Sequence, residues 1–417
     1  MPELPHRPLR DADLADLDRR DPLAPFRRRF RLPEDAIYLD GNSLGPLPTA
    51  VPERLNRVIE EEWGRSLIRG WNDHDWIGLP LRVGEKIGRL IGAESGEVVV
   101  TDSTSVNLFK LLAAALKARP GRSTVLVEED GFPTDTYMVQ GLLDLVGGHR
   151  LRRAPAESLE ESLDDDVAVM LVGHVHYRSG ALRDLHGLTA AAHRHGALAL
   201  WDLAHSAGAV PVELAACGVD LAVGCGYKFL NGGPGAPAFL YVARRLQKEL
   251  TQPLSGWLGH ADPFAFEADY RPAPGIARHL CGTPPILSMA ALDTACDLLL
   301  EADLEALRAK SLELGAIFQR LVQERCAGLG LKLAGPEEPW RRGSQISWRH
   351  PKGYAVVRAL VERGVIPDFR GPDVIRCGLA PLYLRYTDLG AAVDHLRQTL
   401  EEEPWRRPEL RNRHGVP

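Results

Sequence analysis

Cysteine is scarce in this chain. The six in 417 residues are Cys217, Cys225, Cys281, Cys296, Cys326 and Cys377, and no two are spaced as Cys-x-x-Cys. A disulfide scaffold is excluded, and without a Cys/His array structural zinc is not expected either. Few, scattered cysteines fit a reducing compartment. No apolar run approaches the ~20 residues of a membrane helix. The N-terminal stretch MPELPHRPLRDADLADLDRRDP is charged and lacks the apolar core of a secretory signal. Basic tracts are missing too: the net charge is −6, and no Lys/Arg cluster offers a nucleic-acid footprint. Neither an internal repeat nor a low-complexity tract is present. What remains is a cytoplasmic protein acting on a small molecule, with no nucleic-acid, membrane or metal partner. Its length suffices for two or three domains with their own cores.

What the chain does have is a regular alternation of strand and helix patterns between residues 98 and 243. Val98–Thr101, Thr124–Val127, Val167–Val172, Ala197–Trp201, Val219–Val223 and Ala238–Val242 read as buried strands. Helical patterns separate most of them, which predicts an α/β fold with a mostly parallel sheet covered on both faces. Upstream, residues 1–35 carry one short helix with Leu14, Leu17 and Phe26. Residues 51–92 read as helical with a break around Gly70–Pro80. Downstream, 286–325 is a long helical stretch with breaks. Sparser elements follow at Leu331–Leu333, Ser344–Trp348, Tyr354–Arg363, Val374–Cys377 and from Asp388, a smaller α+β domain. The segment Glu401–Pro417 is charged and predicted to be loosely held.

Chemistry-bearing residues sit at the ends of these strands. Thr101-Asp102-Ser103-Thr104-Ser105 precedes a helix, and serves either as an N-cap or as an anion site. Phe132 follows the next strand, where it is core or a stacking platform, and Pro133 suits the first turn of a helix. Asp202 ends a strand, where open α/β sheets bind ligands, or else caps the next helix. Lys228 lies in VDLAVGCGYKFLNGGPG, an apolar run leading to a glycine-punctuated strand end, and a lysine so placed can form a Schiff base. Gly41-Asn42-Ser43-Leu44-Gly45 is a turn able to aim short polar groups into a pocket. Trp71, His74 and Trp76 share a polar loop, as a lid over a flat ligand or a cap on the core. His174 and His176 read best as core or surface histidines.

The order of these signals narrows the chemistry. A hydroxyl-rich helix start, an aromatic, an acid and a lysine in succession are the set that pyridoxal phosphate needs for its phosphate, ring face, ring nitrogen and aldehyde. The segments YLDGNSLG, TDSTSVN, GFPTD, WDLAHSAG, CGYKFLNGGPG and VIRCGLAPLY resemble the kynureninase family. These are pyridoxal-phosphate hydrolases of the aspartate-aminotransferase (type I) fold. The resemblance runs from about residue 30 to about residue 400.

The resemblance implies roles. Lys228 would bind the cofactor aldehyde, Asp202 would pair with the ring nitrogen, and His205 would lie beside the ring. Phe132 would stack on the ring, with Pro133, Thr134 and Asp135 close by. Thr104, Ser105 and Tyr227 would hold the phosphate, and Ser179 would approach the cofactor. Trp257 and Thr283 would reach the phosphate from the second subunit of a homodimer with shared sites. Arg376 would clamp the substrate α-carboxylate, assisted by Asn42 and Ser43. Trp71 would cover the aryl ring. Thr283 and Trp71 fit the bacterial-like type that prefers kynurenine to its 3-hydroxy form.

The implied domains are an N-terminal segment 1–50, a large cofactor-binding domain 51–285, and a linking helix with a small C-terminal domain 286–417. The implied reaction is hydrolysis of the Cβ–Cγ bond of L-kynurenine to anthranilate and L-alanine, in tryptophan catabolism or NAD biosynthesis, with Lys228, Tyr227 and Asp202 as the catalytic set. Two other readings share parts of this pattern. A cysteine desulfurase-like lyase on the same fold needs a nucleophilic cysteine in a mobile loop, and the nearest candidate, Cys377, falls in a predicted strand. A non-catalytic partner-binding scaffold would have no use for the complete residue set.

Overall fold

A computed structural model describes residues 7–410 of the chain. The first residues of the 1–35 segment and the end of the Glu401–Pro417 tail lie outside the described residues. The chain divides into two compact units. One comprises residues 51–177 and 183–300. The other comprises the described part of 1–50, residues 178–182 and the chain from 301 onward.

The first unit is built on a seven-stranded sheet. Its strands in chain order are β1 (Val98–Val100), β2 (Thr124–Glu128), β3 (Arg150–Ala154), β4 (Val167–Gly173), β5 (Leu198–Asp202), β6 (Leu221–Cys225) and β7 (Ala238–Val242). Their spatial order is β1-β7-β6-β5-β4-β2-β3. All neighbouring pairs are parallel except those of β7, which runs antiparallel to both β1 and β6. Apart from the edge strand β3, the strands are near-continuous buried runs, as a sheet covered on both faces requires. Helices Thr104–Ala118, Pro133–Val146 and Leu185–Arg194 follow β1, β2 and β4. Short turns after the C-terminal ends of β2, β5 and β6 therefore face the same side, the side where sheets of this kind bind ligands.

β3 has no counterpart among the strands expected from sequence. Its residues, RLRRA, carry three arginines and are mostly exposed or half-buried. It is an edge strand, where charge blunts the open hydrogen-bonding row, so the apolar signal of a strand is missing. The helical stretch 286–325, expected to be broken, is two helices. Ile286–Leu300 belongs with the 51–300 unit. Leu304–Arg325 starts anew at Asp303, whose carboxylate accepts from the Glu305 amide at 2.9 Å.

The second unit holds a four-stranded antiparallel sheet of β8 (Lys332–Leu333), β9 (Gln345–Arg349), β10 (Asp368–Arg370) and β11 (Val374–Gly378), in the order β8-β9-β11-β10. Helices Leu304–Arg325, Gly353–Glu362 and Tyr386–Glu401 accompany it. The N-terminal segment is tied into this unit. Leu14 and Leu17 of helix Asp11–Arg20 are buried, and Ile37–Tyr38 pairs in parallel with Val365–Ile366. Among the described residues no helix is long and apolar enough to cross a membrane, and no group of three or more His, Cys, Asp or Glu side chains could hold a metal ion.

Candidate active site

The strand ends of the first unit enclose a cavity of about 290 Å³. Its wall contains Thr104, Ser105, Phe132, Thr134, Asp135, Asp202, His205, Tyr227 and Lys228. Nine of the residues singled out from sequence thus converge on one place. Pro133 opens the helix between Phe132 and Thr134 and is not itself in the wall. A larger cavity of about 610 Å³ lies by Lys117, Tyr270 and Arg278 and holds none of this set.

Each wall residue is placed by its local sequence. Ser103, not Thr104, caps the helix Thr104–Ala118, its hydroxyl accepting from the Val106 amide at 3.3 Å. The free amides of the first turn then face the cavity end of a 15-residue helix. Just before it, Asp102 takes a left-handed backbone conformation, φ 49°, unusual for a residue other than glycine. An ion pair, buried at its lysine end, meets it there. Lys110 Nζ, 0 % exposed, meets the Asp102 carboxylate at 2.5 Å and the His279 carbonyl at 2.7 Å.

Phe132 is 41 % exposed, which rules out the core reading. Its ring meets Tyr177 edge-on with centroids 5.3 Å apart. Lys228 Nζ lies 3.0 Å from His205 Nε2 and 5.9 Å from the Phe132 ring centroid. Asp202 Oδ1 accepts from the Ala204 amide at 2.8 Å, so it closes a turn and caps no helix.

The electrostatics of this cavity are lopsided. Asp202 and Asp135 are both buried. Burial, and for Asp135 also the charge of Asp202, pushes both carboxyls above their ordinary range, against the pull of Lys228. Among the described residues no ion pair reaches either of them. A protonated ring nitrogen is the cation such a buried carboxylate lacks, and the helix start supplies the anion site, so the residues present fit pyridoxal phosphate. Burial raises the Tyr227 hydroxyl as well, with Cys225 adding to it.

His176, Tyr177 and Glu128 also line the cavity and were not picked out from sequence as site residues. His176 is held by the Asp130 carbonyl at 2.8 Å. Its position directly after β4, at a strand end like Asp202, was the available signal.

Trp71 and Trp257 lie outside the cavity wall, in the same unit. Their rings pack edge-on with centroids 6.2 Å apart, and Trp71 also meets Trp76 at 5.9 Å. Thr283 is exposed on a loop. Ser179 lies in the 178–182 segment of the second unit, where its hydroxyl accepts from the Ala181 amide at 3.3 Å.

Asn42, Ser43 and Arg376 come together in the second unit. Arg376 lies on β11, 1 % exposed. Its Nη2 donates to Ser43 Oγ at 2.6 Å and forms a short ion pair with Asp368 on β10. Arg370 Nη2 reaches the same two acceptors, Asp368 at 2.7 Å and Ser43 at 3.3 Å. In the amide orientation that satisfies its neighbours, Asn42 accepts from Arg376 Nε at 3.0 Å and donates to Asp40 at 3.3 Å. Burial and the nearby Asp368 push the Asp40 carboxyl up to about 6. Cys377, the next residue on β11, is buried with its thiol pushed up to about 12. A neutral thiol inside a strand is not a mobile nucleophile.

The family model described as the kynureninase C-terminal domain matches residues 307–396. A kynureninase of Pseudomonas fluorescens is 48% identical over 410 residues, covering 97% of this chain and 99% of that protein. One from Burkholderia pseudomallei (strain 1106a) is 51% identical over 407 residues, covering 96% and 98%. Among solved structures, a cysteine desulfurase from Escherichia coli matches with a TM-score of 0.76 at 20% identity, over 91% of this chain and 98% of that one. A cysteine desulfurase from Thermococcus onnurineus gives 0.76 at 18% identity, with the same coverage. At such identities the structural likeness establishes the fold alone, the expected α/β architecture of the aspartate-aminotransferase type. The near-complete alignment at about half identity goes further: this chain belongs to the kynureninase family.

Proposed function

We propose that the chain hydrolyses the Cβ–Cγ bond of L-kynurenine to anthranilate and L-alanine, using pyridoxal phosphate held in the cavity around Lys228. The observation that carries this reading is the pair of buried carboxylates, Asp202 and Asp135, which form no ion pair among the described residues and feel only the longer-range pull of Lys228 in the same wall. When bound, the cofactor supplies an electron sink for negative charge developing at the substrate Cα and Cβ.

The chain's own residues do the rest. Thr104 and Ser105, at the helix start, hold the phosphate together with Tyr227. Asp202 holds the proton on the ring nitrogen, with Asp135 beside it. Phe132 covers one ring face. Pro133 fixes the start of the helix that carries Thr134 and Asp135. Lys228 would hold the cofactor aldehyde, and its amine would take the proton from the substrate Cα. His205, 3.0 Å from the lysine amine, orients it. Water adds to the γ-carbonyl, and collapse of the resulting gem-diol breaks the Cβ–Cγ bond and releases anthranilate. The Tyr227 hydroxyl, kept protonated by burial, is the acid that delivers a proton to the substrate β-carbon. Arg376, with Asn42 and Ser43, binds the α-carboxylate.

Trp71 and Thr283 set the preference for kynurenine over its 3-hydroxy form, and Ser179 contacts the cofactor. The working form is a cytoplasmic homodimer in which Trp257 and Thr283 serve the partner's site. The large domain is 51–285, flanked by the segment 1–50 and the domain 286–417. Incubation with L-kynurenine followed by anthranilate fluorescence tests the assignment. A desulfurase-like enzyme would release sulfide from cysteine and no anthranilate.

A further inference from the structure

The second unit buries a positive charge that forms no ion pair among the described residues. Arg342 is 2 % exposed. Its backbone is pinned, the amide donating to the Pro339 carbonyl at 3.1 Å and the residue forming a bridge with Ala181. The side chain therefore points inward by construction. Both terminal guanidinium nitrogens are buried without a hydrogen-bond partner. A second arginine, Arg308, comes from helix Leu304–Arg325. Its Nη2 donates to the Arg342 carbonyl at 2.8 Å, and its Nη1 is also buried without a partner. No carboxylate among the described residues forms an ion pair with either.

A guanidinium cannot shed its proton under these conditions, and an unpaired buried ion is among the most expensive groups a fold can hold. Burial pushes both arginines down to about 10, with Arg308 further depressing Arg342 and only Glu338 opposing it. The nearby hydroxyls are already committed. Ser344 Oγ donates to the Leu379 carbonyl, and Ser311 Oγ lies 2.9 Å from Ser344 Oγ. There is room beside the charge. A Cβ built on Gly315 would come no closer than 3.8 Å to Arg342 Nη2 and to the Leu379 side chain. The space that Gly315 leaves beside Arg342 Nη2 is of methyl size, which suits a single-atom anion and not a carboxylate or phosphate.

We propose that Arg342 and Arg308 form a structural halide site, occupied by chloride, in the unit that also carries Arg376. The ion compensates the buried Arg342 and its half-buried neighbour Arg308 and ties helix Leu304–Arg325 to the chain entering β9. The site takes no part in the reaction, and the proposal does not rest on the assigned activity.

The test is thermal unfolding of the full-length holoenzyme in sodium chloride against sodium gluconate at fixed total ionic strength. The site predicts a saturable rise in Tm with chloride, reproduced by bromide and absent in gluconate. It also predicts that Arg342→Met removes the saturable part. Gly315→Leu fills the gap with both arginines intact and is expected to lose the halide response too. Should Arg342→Met not fold, bromide soaking of wild-type crystals, with an anomalous peak beside Arg342, carries the test. Identical Tm values in chloride and gluconate, an undiminished chloride response in Arg342→Met, or no bromide peak beside Arg342 would each overturn the proposal.

Discussion

Asp202 and Arg376 are both buried charged residues on central strands, yet their surroundings differ. Asp202, at the end of β5, has a second buried acid for company and no ion-pair partner among the described residues. Arg376, on β11, meets Asp368 in a short ion pair, donates to Ser43 Oγ at 2.6 Å, and shares both acceptors with Arg370. Folding the first unit buries two carboxyls that Lys228 offsets only in part and that no ion pair among the described residues answers. Folding the cluster around Arg376 leaves its charge already matched. The contrast fits a site prepared for a resident cation in one unit. In the other it fits a site where a transient anion shares an arginine that the fold already holds.

The comparison is broken most completely at Lys228. Lys228→Ala is expected to abolish kynurenine turnover and the visible absorbance of the lysine-bound cofactor, both read in one spectrophotometric assay. An active, yellow variant would remove the basis for the assignment.

Next in size is Arg376→Met. It leaves buried Asp368 with only the half-exposed Arg370 as a cation, so the variant should lose about 3 kcal/mol of stability, the low end for breaking a buried pair, measured by denaturant unfolding. Arg376→Lys keeps the charge but not the fork. It should fold, with KM for kynurenine raised far more than kcat is lowered.

A third expectation concerns pH, where two groups, His279 in one unit and Asp40 in the other, should act in opposite directions. His279, 0 % exposed in the first unit, is pushed down to about 3 by burial and the charges of Lys110 and Arg278. The unfolded chain binds this proton below its ordinary value near 6.5 and the folded chain does not. Stability is therefore lost as pH falls from 6.5 towards 3, by about 4–5 kcal/mol. His279→Phe should flatten that loss. Asp40, facing Asp368, Ser43, Arg376 and Arg370, has its carboxyl raised to about 6. The folded chain keeps this proton, so stability falls as pH rises from about 4 to about 6, and Asp40→Asn should remove the fall. Unfolding midpoints across this range check both signs.

The smallest effect is expected at Arg370, whose side chain is 37% exposed. Arg370→Gln should raise KM for kynurenine by about 5-fold or less, since pairs open to solvent contribute about 1 kcal/mol at most.

Much of the first unit was legible because its signals are local. A buried strand is a run of apolar residues, and ligand-facing residues come at or just beyond its end, as Asp202 and Lys228 do. What escaped was set by pairing across the chain. The edge strand β3 carries arginines where a strand usually carries apolar residues. The short strand Asp368–Arg370 has no alternation to read. Asp368 is the ion-pair partner of Arg376, but only the antiparallel register of β10 and β11 brings the two opposite each other. His176 and Tyr177 follow a buried strand as Asp202 does. A histidine or tyrosine there is as compatible with packing as with a ligand, and only the cavity decides.

The uncompensated charge of Asp202 is tested most directly by thermal unfolding of wild type and Asp202→Asn, each with and without pyridoxal phosphate, near pH 8. The account predicts that without cofactor Asp202→Asn unfolds at a higher temperature than wild type, because a buried carboxylate has been discharged, and that it gains less on adding the cofactor. A cofactor-free Asp202→Asn protein no more stable than wild type, gaining as much from pyridoxal phosphate, would contradict it.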